Sequence, residues 1–126
     1  MLQPKVYSKL NNKVFDVAEI HFKMNVVVVE YIENGIYGVA TLNFSDCQFM
    51  ENTGFKDNNG KDIYVGSILT DEGGLGEDEW IYGIVIKDID EGYYISWGLI
   101  EFSETLYECS AYSVIGNIYE NKELLK

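Results

Sequence analysis

The sequence predicts a mainly β protein, with an N-terminal β-hairpin module over residues 1–50 and a small barrel of short strands over residues 51–126 that ends in a short helical turn. Three observations predict it. Apolar and polar residues alternate with a period of two in several short runs. Clusters rich in Asn, Asp and Gly separate these runs at short intervals, where turns need residues that tolerate positive φ. The 126 residues are 47% hydrophobic and 24% charged, an ordinary globular composition that can build a core without metal or disulfide.

In chain order, residues 7–22 read as two strands around Asn11-Asn12, because Val14, Asp16, Ala18, Ile20 and Phe22 alternate with Phe15, Val17, Glu19 and His21. Residues 25–32 (NVVVVEYI) are β-branched, Glu33-Asn34-Gly35 is a turn, and residues 36–44 resume an apolar run, giving a second hairpin. Residues 46–52 fit a helical turn or a strand equally well. Beyond Thr53, residues 57–60 form a turn, and five strands follow at residues 63–70, 80–87, 93–97, 106–109 and 112–119. Between the first two of these, residues 71–79 (DEGGLGEDE) carry three glycines and five acids and read as a solvated loop. Asn121 supplies an N-cap for one closing helical turn.

The charge excludes several activities. There are 21 acids against nine bases, all Lys, and the net charge is -12. Without Arg there is no bidentate fork for phosphate or guanine, and a negative chain is repelled by nucleic acid and anionic lipid. No long apolar segment opens the chain and no run of about 18 apolar residues appears, so neither a signal peptide nor a membrane span is expected. The expected location is cytosolic. Cys47 and Cys109 form no CxxC pattern and are expected to be reduced and half-buried.

Residues 53–66, with VIGNIYEN at residues 114–121 and Glu123-Leu124-Leu125, carry a specific pattern. It resembles the YopX family of phage and prophage proteins, whose motif runs Thr-Gly-Leu-Lys-Asp-x-Asn-Gly-Lys-x-Ile-Tyr-x-Gly-Asp and, near the C-terminus, Val-Ile-Gly-Asn-Ile-Tyr-Glu-Asn-Pro-Glu-Leu-Leu. The matching motif positions singled out here are Thr53, Gly54, Asp57, Asn59, Gly60, Ile63, Tyr64 and Gly66, then Gly116, Asn117 and Tyr119. Phe55, Ser67 and Lys122 depart from the family's leucine, aspartate and proline. The resemblance covers the last 75 residues well and the first 50 weakly. It implies an SH3-like barrel at the C-terminus, a phage or prophage setting in a bacterial cytoplasm, and no established biochemical role.

Individual motifs favour scaffold over chemistry. Residues 57–62 look like calcium ligands beside a glycine, but with Gly60 at the sixth EF-hand position the first and twelfth would be Phe55 and Gly66, neither a ligand. Acids Glu77, Asp78 and Glu79 follow the glycines of the acidic loop, where a phosphate cradle needs Lys and Ser or Thr. His21 is the sole histidine; it shares a strand face with Glu19 and opposes the sides of Ile20 and Phe22. Aromatics crowd the second half, yet Lys87 is the one base from Trp80 to Tyr119, so no nucleic-acid groove is expected.

The reading is a non-catalytic interaction protein, binding itself and/or a host or phage protein, with no cofactor and no metal. Its candidate partner surface is Val26 and Val28, on an apolar strand expected at an edge, with Trp80, Tyr82 and Trp97. The alternative is an acidic DNA-mimic inhibitor of a host nucleic-acid-binding or defence protein. A hydrolase with acids gathered from distant loops ranks third.

Overall fold

The computed structural model describes residues 2–71, 82–90, 92–97, 102–106 and 112–125. The chain divides into two compact units, Met1–Glu51 and Asn52–Lys126.

In the first unit, β1 (Lys5–Ser8), β2 (Lys13–His21), β3 (Val26–Glu33) and β4 (Ile36–Asn43) lead through a 3-10 turn (Phe44–Asp46) to β5 (Cys47–Met50). The ambiguity at residues 46–52 thus resolves into a turn followed by a strand. The five strands make one antiparallel sheet in the order β4-β3-β2-β1-β5. Its turns rest on asparagines that accept left-handed backbone: Asn12, Asn25 and Asn34 have φ of 53°, 55° and 52°. Gly35, at φ 78°, completes with Asn34 a two-residue turn with both φ positive, whose twist matches that of a hairpin.

Cross-strand register collects Val6, Val17, Val27, Val29, Leu42 and Cys47 into a core, with Phe15, Ile20, Ala40 and Phe44 packed against it. The alternation expected through β2 is interrupted. The register shifts between Val17 and Glu19, so that Val17 opposes Val29 and Ile20 opposes Val27, and both apolar side chains reach one face. Burial pushes up the pKa of the free Cys47 thiol, and neighbouring Asp46 adds to the effect.

One expectation is corrected here. The strand of valines is no edge: β3 lies between β2 and β4, and Val27 and Val29 are fully buried. Val26 and Val28 are half-buried on the other face. The sheet's edges are β4 and β5.

In the second unit, β6 (Asn52–Lys56) and β7 (Asp62–Tyr64) form a two-stranded ribbon. The strands β8 (Ser67–Asp71), β9 (Tyr82–Asp88), β10 (Gly92–Trp97), β11 (Phe102–Thr105) and β12 (Tyr112–Asn117) form a five-stranded antiparallel sheet in the order β11-β10-β9-β8-β12. No sheet closes on itself among the described residues. Ile63 of the ribbon packs with Leu69, Val85, Ile95, Trp97 and Leu106, and Phe55 adds to this core. A last 3-10 turn spans Lys122–Leu125.

One strand assignment changes and one strand is added. The run expected at residues 63–70 breaks at Gly66, whose φ of 96° turns the chain from β7 into β8. A strand not expected from the sequence lies at Phe102–Thr105, a largely polar segment recruited by its pairing with β10, and Leu106 beyond it is a buried core residue. Residues 107–109, residues 72–79 of the acidic loop, and Trp80 lie outside the described residues.

Candidate interaction surface

The motif residues of the second unit converge on a carboxylate. Asp57 is buried, and its Oδ1 accepts the backbone N–H groups of Asn59 and Lys61, both at 2.8 Å, while Oδ2 accepts that of Val114 on β12 at 2.9 Å. Burial pushes the Asp57 carboxyl up, but these three donors, with the nearby Lys61 ammonium, outweigh it and hold the carboxyl below its ordinary value. Asn58 extends the junction, donating its N–H to Tyr112 and accepting from the Ser113 hydroxyl at 2.8 Å. Gly60 sits at φ 80°, and its N–H closes the turn onto the Asp57 carbonyl. Asn59 enters through its backbone alone in this contact.

The remaining motif positions also hold backbone. The Thr53 hydroxyl donates to the Ile63 carbonyl and accepts from Phe55 N–H, while Gly54 takes φ 84° between them. Ser67 accepts the Tyr64 N–H at 2.9 Å, so the hydroxyl supplies a turn bond at the position where the family carries aspartate. Gly66 donates to the Val85 carbonyl and accepts from Ile118. Asn117 Oδ1 accepts the N–H groups of Tyr119 and Glu120, and Asn121 Oδ1 accepts that of Asn117. Gly116 leaves room for Asn121: a Cβ there would meet its Oδ1 at 2.4 Å. These side chains spend their polar atoms on turns. Among the described residues, no buried side-chain N or O lacks a partner and no group of three His, Cys, Asp or Glu could hold a metal.

Unsatisfied surface lies elsewhere, on the β3–β4 hairpin of the first unit. Ile32, Ile36, Tyr37 and Val39 are exposed by 72%, 71%, 62% and 55%. Register pairs Ile32 with Tyr37 and Glu30 with Val39, placing Ile32, Tyr37 and Val39 on one face. The Tyr37 hydroxyl donates to Glu30 Oε2 at 3.1 Å, and this bond, with slight burial and the carboxylate's charge, raises the phenol's pKa.

On the opposite face, beside the core, Lys13, Phe15, Val29, Tyr31, Ala40 and Leu42 help line a groove of about 290 Å³. Phe15 and Tyr31 meet edge to face at 6.0 Å, and Lys13 Nζ stands 5.5 Å from the Phe15 ring centre. Tyr31 lies over Gly38, where a Cβ would stand 2.6 Å from its Cζ.

The structure therefore redistributes the expected partner residues. Val26 and Val28 belong to a central strand, and Tyr82 is half-buried on β9 opposite Thr70. Trp97 is a correction: it is 4% exposed, packs edge to face on Tyr112 at 5.1 Å, and donates Nε1–H to Glu104. His21 and Glu19 do share a face, with Nε2 and Oε2 3.4 Å apart. Sequence reasoning missed Ile32, Ile36, Tyr37 and Val39. Their signal was there in IENGIYGV, apolar on both sides of a tight turn.

The fold and its surface define an all-β protein of two antiparallel units, each with its own core. The chain belongs to the YopX family, described as YopX protein, which matches residues 5–126. Among solved structures, it is similar to the crystal structure of protein EF1440 from Enterococcus faecalis. The two share 20% identity with a TM-score of 0.65, over 98% of this chain and 97% of that one, which shows a common fold. No curated protein matches the chain. No helix among the described residues is long and apolar enough to cross a membrane.

Proposed function

We propose that this YopX-family chain is a non-catalytic interaction protein, working in a phage or prophage setting in a bacterial cytoplasm. It binds itself or a host or phage protein through the β3–β4 hairpin. The carrying observation is the exposed apolar trio Ile32, Tyr37 and Val39 on one face of the hairpin, with exposed Ile36 beside its turn on the other face, on a chain of net charge -12. The second unit is read as its SH3-like scaffold. That reading is supported by the β6–β7 ribbon laying Phe55 and Ile63 on the core of the five-stranded sheet.

The acidic-mimic reading has one specific support. Asp16 on β2 stands directly opposite Glu30 on β3, a pair of carboxylates on the face that also carries Glu19. Lys5, 3.9 Å from Asp16, offsets part of that charge.

Capture from host lysate with the full chain and with Val39→Lys, at low and high salt, separates the two. The interaction reading expects a captured protein that is lost with Val39→Lys and persists at high salt. Capture that survives Val39→Lys and falls steeply with salt replaces it with the mimic.

A further inference from the structure

Taking the β3–β4 hairpin as the contact surface, we propose that β4 pairs antiparallel with β4 of a second copy across a two-fold axis at Val39, joining two five-stranded sheets into one of ten strands. The backbone is set for it. A two-residue hairpin closes on a hydrogen-bonded pair, here Glu33 and Ile36, and the same pairing continues at every second position. The bond from Phe44 N–H to the Asn25 carbonyl, 2.9 Å, falls on that series at the far end of the hairpin. Gly38, Ala40 and Leu42 therefore turn their backbone groups toward β3. Tyr37, Val39 and Thr41 turn theirs away from the sheet, at its edge.

An outward row of donors and acceptors is self-complementary when a copy of the strand runs antiparallel to it, which is the isologous geometry of a two-fold dimer. With the axis at Val39, Val39 exchanges both bonds with the second copy's Val39, and Tyr37 and Thr41 exchange bonds with each other's counterparts. The intervening pairs set Gly38 beside Ala40 and Ile36 beside Leu42. Every pair brought together is small, apolar or hydroxyl-bearing, and none is charged.

Charge selects this edge. The chain carries -12 and its copies repel, yet the eight residues of β4, IYGVATLN, include no ionisable acid or base other than the Tyr37 phenol. Edge strands are ordinarily protected by Lys, Pro or inward charge, and β4 has none of these. The other edge, β5, has four residues and is flanked by Asp46 and Glu51. The like charges of the two copies also predict a dimer that tightens as salt screens their repulsion.

Sedimentation velocity of the full chain at low and high salt tests the pairing. The expected result is a species of twice the chain mass, tighter at high salt. Val39→Pro removes the outward N–H while leaving the ladder to β3 intact, and Gly38 before it is the residue least hindered by a following proline. Dimer affinity should fall about tenfold or more, the loss of two hydrogen bonds and the close approach around them. Val39→Lys, which sets two ammonium groups together at the axis, should do the same with an unchanged far-ultraviolet spectrum, and covers the case in which the proline variant fails to fold. Phe49→Lys on β5 should leave the dimer as it is.

A monomer at both salts overturns the pairing, as does a dimer that survives both Val39 variants or is abolished only by Phe49→Lys. If the monomer still captures a protein in a Val39-dependent way, the hairpin remains an interaction surface and only the second copy is refuted. A monomer that captures nothing refutes both.

Discussion

The indole of Trp97 occupies the space that a side chain on Gly83 would need. A Cβ at Gly83 would stand 2.9 Å from Trp97 Cε3 and 2.5 Å from Ile95 Cγ2. Both neighbours are buried, so neither can yield without opening the core of the second unit. Gly83→Ala should therefore lower stability by about 1 to 3 kcal/mol, read as a shift of the urea midpoint. An unchanged midpoint would mean that Trp97 does not rest on Gly83.

Gly38 offers the contrasting case. The atoms that a Cβ would strike there, Cζ, Cε2 and Oη, are the far end of Tyr31, which can swing away. Gly38→Ala should cost less than about 1 kcal/mol while reshaping the groove beside Phe15. In solution, the Tyr31 ring should shift the Gly38 α-proton resonances upfield, and Tyr31→Leu should return them to ordinary values. Ordinary shifts in the wild type would place the ring elsewhere.

The Asp57 carboxyl titrates below its ordinary value in the folded chain. A depressed carboxyl adds stability that is present at pH values above the unfolded-state value, about 4, and is lost as pH falls through the folded value. Asp57→Asn replaces one acceptor by a donor that faces a backbone N–H, at a cost of about 1 to 3 kcal/mol at pH 7. The gap between wild type and variant should narrow below about pH 4. Denaturant titrations at pH 7 and in acid measure it, and a gap independent of pH would disprove the role given to the carboxylate.

Local features were legible where one residue type answers one backbone demand. Asn34-Gly35 announces the β3–β4 hairpin because both positions need positive φ, and Gly60 behaves likewise in the Asp57 turn. Properties set by strands distant in sequence were not legible. The interior place of β3 depends on which strands flank it, and a run of valines looks the same at an edge or at the centre. The polar strand Phe102–Thr105 owes its conformation to β10, against its own composition. The register shift in β2 moved Ile20 to the core face without a glycine or proline to mark it. Trp97 was misread because its burial is granted by Gly83, on the neighbouring side of the core but on another strand. Of the candidate surface, Val26 and Val28 were expected on an edge strand and lie on a central one, beside the edge strand β4.

The junction between Asp57 and β12 has a consequence for the order in which the chain can fold as it is made. In the first unit β1 to β4 pair as neighbours in sequence, and β5 closes that sheet on β1 before residue 51 has passed. In the second, the Asp57 carboxylate receives Val114 from 57 positions away, and Asn58 receives Ser113 from 55. A ribosome that has released only the first hundred or so residues holds a finished N-terminal sheet beside a C-terminal unit still lacking the strand that pairs with β8. Folding of that unit waits until β12 has been made, and the closing of that long loop slows it.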